Sequence, residues 1–449
     1  MESEEKKENK AENQEASTLL SAKKQRRKEI LRKIGVGVLV ATLFSGGVLA
    51  GRLSLDKELR NLAKIKRAIQ KEYYEEIDDS TFYDAVFDGV NGVLDSYSYY
   101  MTADEYTKVT AESKGEQSGI GLVFQTKDES GNPQLLIKRV CGNSPAYSAG
   151  IQAGWRVTGF GINGEMQESV LFADLQSFLA GIDIQTTFDI QVETIEGKTL
   201  VVPLQKAVYI ENYVFYRTNT QSYGFIGENA DGLKEKNEGL SCLDDETAYI
   251  RLVKFNGSAA QGFAKVMTLF REQGKKNLVL DLRGNGGGSI DILQEIAAYL
   301  CKDAVEKKPS VAVINYGEKQ EIAKAAGNYY HQYFSQDSRI FVLADGDSAS
   351  ASECLLGAML DYKTIDYADI CLIGDINTAK TFGKGIMQTT YVYPMGDAIK
   401  LTTATIHWPT SNTCIHGRGI LATDGTKFVP RQSADDAEIA LAMAEFYKK

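Results

Sequence analysis

The sequence predicts a chain of α/β plus mixed α+β class, in which a small strand-rich domain precedes a larger α/β core. Three observations predict it. Between Gln117 and Lys206, apolar residues alternate with polar ones at period two: Phe188, Ile190 and Val192 face Leu200, Val202 and Leu204 across the Glu196-Gly197 turn, a hairpin. From Thr247 onward, short apolar runs at Thr247–Val253, Leu278–Leu282, Ile340–Ala344 and Ile370–Gly374 alternate with helix-period segments, the rhythm of a parallel sheet covered on both faces. Ahead of both, residues 34–51 carry no charge and follow a dense basic run, the pattern of a membrane helix. The predicted order is therefore a basic disordered arm at 1–33, a membrane anchor at 34–51, a helical lead-in at 52–110 packing on the core, the strand-rich domain at 111–206 and the α/β core at 207–449.

With 449 residues, 43% hydrophobic and 24% charged, the bulk is globular. A formal net charge of -10 excludes a general nucleic-acid binder, which needs clustered Lys and Arg. The arm to Ala22 is too polar to repay ordering. The basic flank Lys23–Lys33 is expected in the cytoplasm, which places everything after Gly51 outside it; a cleaved signal peptide ending at Val48-Leu49-Ala50 is the competing reading. Six scattered cysteines without a CxxC pair indicate neither a zinc site nor a dense disulfide framework, and no cofactor or metal is expected.

Taken in order, Asp56–Tyr74 and Phe82–Leu94 have helical apolar spacing, and Asp95–Tyr106 is a Tyr-rich turn into another short helix. Ser118-Gly119-Ile120-Gly121-Leu122 then precedes the strand Leu135–Val140 and the run GNSPAYSAGIQAGWRVTGFGING. This ordering resembles a PDZ domain. The resemblance makes Gly119, Ile120, Gly121 and Leu122 the loop whose backbone amides hold a peptide's terminal carboxylate, beside a strand edge that accepts the peptide. In the core, Ser258 is placed to cap a helix bearing Phe263, Val266, Met267 and Phe270. The next strand runs into DLRGNGGG, Asp281–Gly288, and a helix with Leu293, Ile296 and Leu300. Neither G-x-G-x-x-G nor a P-loop is present there, so the glycines are read as letting backbone approach a peptide.

The strand Ile340–Ala344 turns through Asp345-Gly346-Asp347 into a helix that starts among Ser348, Ser350 and Ser352. Serines at such a turn commonly cap the helix; the same unpaired amides also suit an oxyanion beside an attacked carbonyl. The triplet Gly346-Asp347-Ser348 points to Ser348 as a nucleophile, which would need a histidine base. His331, His407 and His416 are the only histidines, and they match no triad order with a G-x-S-x-G elbow. A lysine is the remaining base. Lys384 stands between Gly383 and Gly385 with Phe382, Ile386 and Met387 as apolar cover, and serves only if burial or a nearby cation favours its neutral form.

Helical lead-in, PDZ-like domain, DLRGNGGG, SASASE and FGKGxxQ follow one another in the order of the carboxyl-terminal processing peptidases, which the chain resembles over nearly all of its length beyond the predicted span. The resemblance implies a serine endopeptidase acting on protein or peptide substrates near their C-termini. It makes Ser350 the nucleophile, Lys384 the general base and Gln388 the residue that orients the lysine, with Ala351 N–H and Gly287 forming the oxyanion hole, and it implies self-association. Ser348 and Ser352 then have turn and helix roles. Two departures stand out: extra residues within Lys363–Ile370, and Asp347 where a small or neutral residue is usual. The rival reading, from another class, is a catalytically weak scaffold that captures peptide tails.

Overall fold

The computed structural model describes residues 56–128, 130–224, 234–236, 239–302, 308–375, 378–432 and 435–448. The predicted arm and membrane span lie outside them; among the described residues no helix is long and apolar enough to cross a membrane. The chain divides into two units, Met1–Gly89 and Val90–Lys449. In the first, the helix Lys57–Glu72 follows Asp56, and Lys66 reaches Asp79 at 2.8 Å and the Tyr83 ring at 4.3 Å. The predicted lead-in thus divides. Its last part, from Val90, belongs to the second unit, where the Tyr-rich turn holds a short strand, β1 (Tyr99–Met101), ahead of the short helix Ala103–Ser113.

The strand-rich domain follows. After the helix Ala103–Ser113, β2 (Glu116–Gly119) leads into β3 (Leu122–Lys127), β4 (Pro133–Val140), β5 (Arg156–Ile162), β6 (Glu165–Glu168), β7 (Phe188–Glu193) and β8 (Thr199–Leu204), and β9 (Ala207–Ile210) returns to pair with β2. The sheet order is β3-β4-β5-β7-β8, with β6 on β5, so β3 is an edge strand. The predicted hairpin is β7–β8, in register Ile190↔Val202. Its inward residues Phe188, Ile190 and Val192 join Leu135, Ile137, Val157 and Phe160 in a core separate from that of the rest of the unit.

The α/β core is an eight-stranded sheet. Its strands are β10 (Val214–Arg217), β11 (Ser222–Gly224), β12 (Lys234–Lys236), β13 (Thr247–Leu252) and β14 (Asn277–Asp281), then, after β15 (Ser310–Asn315) and β16 (Gln320–Lys324) of another sheet, β17 (Ile340–Asp345), β18 (Ile370–Gly374) and finally β21 (Lys427–Pro430). The order is β12-β11-β10-β13-β14-β17-β18-β21, parallel from β13 onward. Period two explains why these strands read as unbroken apolar runs. Leu278, Leu280, Ile340, Val342, Ile370 and Leu372 point into one core, beneath the helices Ala259–Glu272, Ile290–Leu300 and Ala351–Asp361. Val279, Phe341, Leu343, Cys371 and Ile373 point into the other, against the C-terminal helix Asp435–Phe446. Ser258 takes the N-cap position predicted for it, but its side chain makes no capping hydrogen bond.

The remaining sheet contains β1, β15, β16, β19 (Ile386–Val392) and β20 (Ala398–His407), in the order β1-β20-β15-β16 with β19 also on β20. Apolar and threonine residues fill most of β20, which pairs with three neighbours. Residues 408–420 return as a loop onto the helix Ala351–Asp361, where Trp408 lies so close that a Cβ on Gly357 would stand 2.1 Å from its ring.

Candidate active site

The candidate site lies at the C-terminal ends of β14 and β17. Each strand there feeds a glycine- or serine-rich turn into a helix, and the two turns are laced together. Ser348 is fully buried, donates through Oγ to Leu282 O at 2.8 Å and accepts from Asp345 N at 2.9 Å. Ser352 is also fully buried and donates to Asn285 O at 2.8 Å. Asp345 Oδ1 receives the amides of Gly284 and Asp347. Two of the three serines are therefore consumed in joining the turns. Ser350 is only half-buried and lines a cavity of about 1470 Å³.

Ser350 sits at the N-cap of its helix with φ 55° and ψ -113°. A positive φ on a serine is strained, by about 1–3 kcal/mol, and persists only where surroundings impose it. Here Glu353 imposes it. Its carboxylate, 0% exposed, accepts Ser350 N–H at 3.0 Å and Lys384 N–H at 2.9 Å on Oε2, and Thr381 Oγ1 at 2.6 Å and Gly383 N–H at 2.8 Å on Oε1. One buried side chain thus fixes both the serine turn and the lysine loop. Sequence reasoning missed this residue as functional, although it ends the SASASE run and stands three positions into the helix, where a side chain reaches back to the N-cap amide.

Lys384 lines the same cavity as Ser350, as do Gln388, Ala351 and Gly287. Burial and the neighbouring Lys400 hold the Lys384 ammonium below its ordinary value of 10.5, with Asp95 opposing. Its apolar cover is not Phe382, which is 45% exposed; the Tyr97 ring lies 4.7 Å from Nζ. The glycines beside it admit close backbone. A Cβ on Gly383 would meet Gly419 N at 2.9 Å, and one on Gly385 would meet His416 N at 2.8 Å. The Gln388 side chain donates to Thr402 Oγ1 at 3.1 Å, so it is tied to β20 and not directly to the lysine. None of the three histidines lines the cavity; His407 is held by Thr405 and the Asn412 carbonyl. Cys354 does line it, but burial pushes its thiol up to about 12 and so keeps it un-ionised near neutrality.

Gly287 has φ 96°, and a Cβ there would stand 2.8 Å from both Ala351 N and Ser350 Cβ. Its expected part as an oxyanion donor is altered by one bond: its N–H is given to Asn285 Oδ1 at 2.9 Å. What Gly287 supplies in this structure is open space in front of Ala351 N–H, for which no partner exists among the described residues. Gly119 to Leu122 lie apart from this cavity. There the Ile120 and Gly121 carbonyls accept from Ala146 and Cys141, and neither residue's N–H has a partner among the described residues.

A strained serine at a strand-to-helix turn, a buried carboxylate clamp and a lysine in one cavity fit a serine-type hydrolase without histidine. Residues 246–423, which contain all of these groups, match Peptidase family S41. Over those residues the chain is similar to that family, and it is a serine-type peptidase. It is 26% identical over 390 residues to a "Probable CtpA-like serine protease" of Staphylococcus haemolyticus, covering 86% of this chain and 69% of the relative. To its counterpart in Staphylococcus epidermidis it is 29% identical over 374 residues, covering 82% and 66%. The chain spans about two thirds of the length of these relatives. A solved Bacteroides fragilis structure described as an S41 protease is 16% identical with a TM-score of 0.51, covering 84% of this chain and 92% of that one, a likeness of fold.

Proposed function

We propose that this chain is an endopeptidase that cuts proteins near their C-terminal ends through a Ser350–Lys384 dyad. The observation that carries the reading is the Glu353 carboxylate, which binds the amides of both residues at the edge of one cavity. Lys384 Nζ, neutral, takes the Ser350 hydroxyl proton as Oγ attacks the scissile carbonyl. The oxyanion that forms lies over Ala351 N–H in the space left by Gly287. The protonated lysine then returns the proton to the leaving amine, and a water deprotonated by the same lysine hydrolyses the acyl-serine. Gln388 acts at one remove, through Thr402, on the segment that covers the lysine.

The strand-rich domain is read as a PDZ domain that captures the substrate tail. Support comes from the unpartnered Ile120 and Gly121 amides, the edge position of β3, and the neighbouring helix Phe172–Ala180, where Phe124 and Phe172 meet at 5.9 Å. A peptide added to β3 would end with its carboxylate at those amides. The uncharged run at 34–51 and its basic flank support a membrane anchor with the peptidase on the extracytoplasmic side.

The deciding experiment incubates the protein, and separately its Ser350→Ala and Lys384→Ala variants, with unstructured proteins and follows the products by mass spectrometry. Both variants are expected to lose cleavage while retaining the capture of C-terminal peptides. Undiminished cleavage by Ser350→Ala would sink the assignment. Gly119→Val is expected to weaken peptide capture; unchanged affinity would remove the carboxylate role of this loop.

A further inference from the structure

The Tyr-rich segment after Asp95 has no part in the dyad chemistry as described, yet it lies against the base. Tyr99 pairs with Lys400 across β1 and β20, and Thr390 of β19 pairs with the same lysine, so Lys400 is central in the small sheet. Its side chain lines the cavity that holds Ser350 and Lys384. The two ammonium groups have parallel surroundings. Lys384 Nζ lies 4.7 Å from the Tyr97 ring centre and Lys400 Nζ 5.5 Å from that of Tyr99, and neither forms a salt bridge among the described residues. The segment is pinned in place: Tyr97 N–H binds Asp95 Oδ1 at 2.8 Å, and Thr402 N–H binds Ser98 Oγ at 2.8 Å. Thr402 is also the residue that Gln388 holds.

We propose that Lys400 is a positioning residue for the reaction: a second cation in the catalytic cavity that acts through Lys384, keeping it in the neutral form that a base must have, while Tyr97 keeps water from it. The inference rests on Lys384 being the base. A like charge in a partly desolvated cavity disfavours protonation, the arrangement that activates lysine nucleophiles next to another cation. The groups facing Lys384 from each side enter the balance. Burial and Lys400 act against the ammonium, and Asp95 acts for it. The Tyr97 ring face also favours the ammonium. From the serine helix, Glu353 binds the backbone N–H of Lys384 and Cys354 stays un-ionised; from the loop at 408–420, Cys414 and the His416 backbone lie against Gly385. Glu112, Lys114, Glu116 and Lys254 also line the cavity. Lys400 is the cation whose charge acts on Lys384, so its removal leaves Asp95 unopposed by charge.

The test is the pH dependence of kcat/KM for a peptide substrate between pH ~5 and ~10, measured for the native protein, Lys400→Met, Lys400→Gln and Lys400→Arg. The two neutral variants are expected to lose about threefold or more at pH ~7 and to regain native activity at the alkaline end, with Lys400→Arg following the native profile. A neutral variant whose profile is unmoved, or lowered equally at every pH, overturns the proposal; the second result would mark Lys400 as structural. Lys384→Ala in the same series separates the two readings. If that variant still cleaves, the base assignment itself has failed. If it is inactive while the Lys400 variants show no pH shift, only the role of Lys400 falls. A readout without turnover is the pH dependence of Lys384 acylation by acetic anhydride in the Ser350→Ala protein. Adding Lys400→Met is expected to slow that labelling at neutral pH, and an equal rate counts against the proposal.

Discussion

Replacing Glu353 by Gln removes a charge and half of the acceptors while keeping the shape, so it isolates what the carboxylate does. Each oxygen of the native group receives two donors, Ser350 and Lys384 amides on one side and the Thr381 hydroxyl and Gly383 amide on the other. A glutamine has only one acceptor oxygen. The less damaging orientation turns its nitrogen toward Thr381, whose Oγ1 can accept, and leaves the Gly383 amide buried and unpaired. Loss of charge assistance on the retained bonds, about 1 kcal/mol, adds to about 1–3 kcal/mol for the orphaned amide, so the variant should be destabilised by about 3 kcal/mol. Activity should fall further than stability implies, because the carboxylate sets the separation of the serine turn from the lysine loop, and a misplacement of about 1 Å can cost about a hundredfold. Urea unfolding and kcat/KM on one peptide measure the two effects. A variant within about 1 kcal/mol of native that cleaves at the native rate would refute the clamp.

Other substitutions probe the packing and the ionisation. Gly357→Ala drives a methyl into the Trp408 ring, 2.1 Å from the Cβ position, and is expected to cost about 1–3 kcal/mol in chemical unfolding. Gly121→Ala places a Cβ 2.1 Å from that of Ser144 at φ 81°, so it should lower the melting temperature as well as weaken tail capture. The depressed Lys384 makes stability depend on pH: between its lowered folded value and 10.5 the unfolded chain binds more protons. Its contribution is therefore fully present above 10.5 and lost as pH falls through the folded value, and Lys384→Met should remove that alkaline slope.

What could be read in the sequence was what local pattern encodes. The parallel strands announced themselves because both faces of the sheet are buried, and the serine and lysine motifs because their glycines are required by close backbone contacts such as Gly383 against Gly419. Choosing Ser350 over Ser348 needed the family order, since both serines follow the same strand; what sequence could not show is that Ser348 Oγ is spent on Leu282 while Ser350 lines the cavity. The cover of Lys384 was misread as Phe382 because sequence neighbours were the only candidates available. Tyr97 and Lys400 reach it through the β1–β20 pairing, a contact between residues some three hundred positions apart that no local periodicity carries. The strand β1 was hidden for the same reason: three residues, Tyr99–Met101, make no period, and they are extended only because β20 is there to pair with.

Asp347, the residue that departs from the usual small or neutral side chain, has a partner on the strand-rich domain: Lys138 of β4 forms a salt bridge with it. The next residue along β4, Arg139, pairs with Glu211 on the segment that enters the α/β core. Both bridges join a basic side chain of β4 to a carboxylate, and they differ in energy. Lys138 and Asp347 have side chains 50% and 48% exposed, so the pair is worth at most about 1 kcal/mol and is weakened by salt. Glu211 is 3% exposed, and removing it strands a mostly buried guanidinium, at about 3–5 kcal/mol. Lys138→Ala should thus leave the melting temperature nearly unchanged, whereas Glu211→Ala should lower it strongly. Equal effects from the two would refute the ranking by burial. The ranking has a structural consequence. The firm attachment of the strand-rich domain runs through Glu211 and the β2–β9 pairing at its base, while the bridge beside the serine turn is the one that can open at little cost.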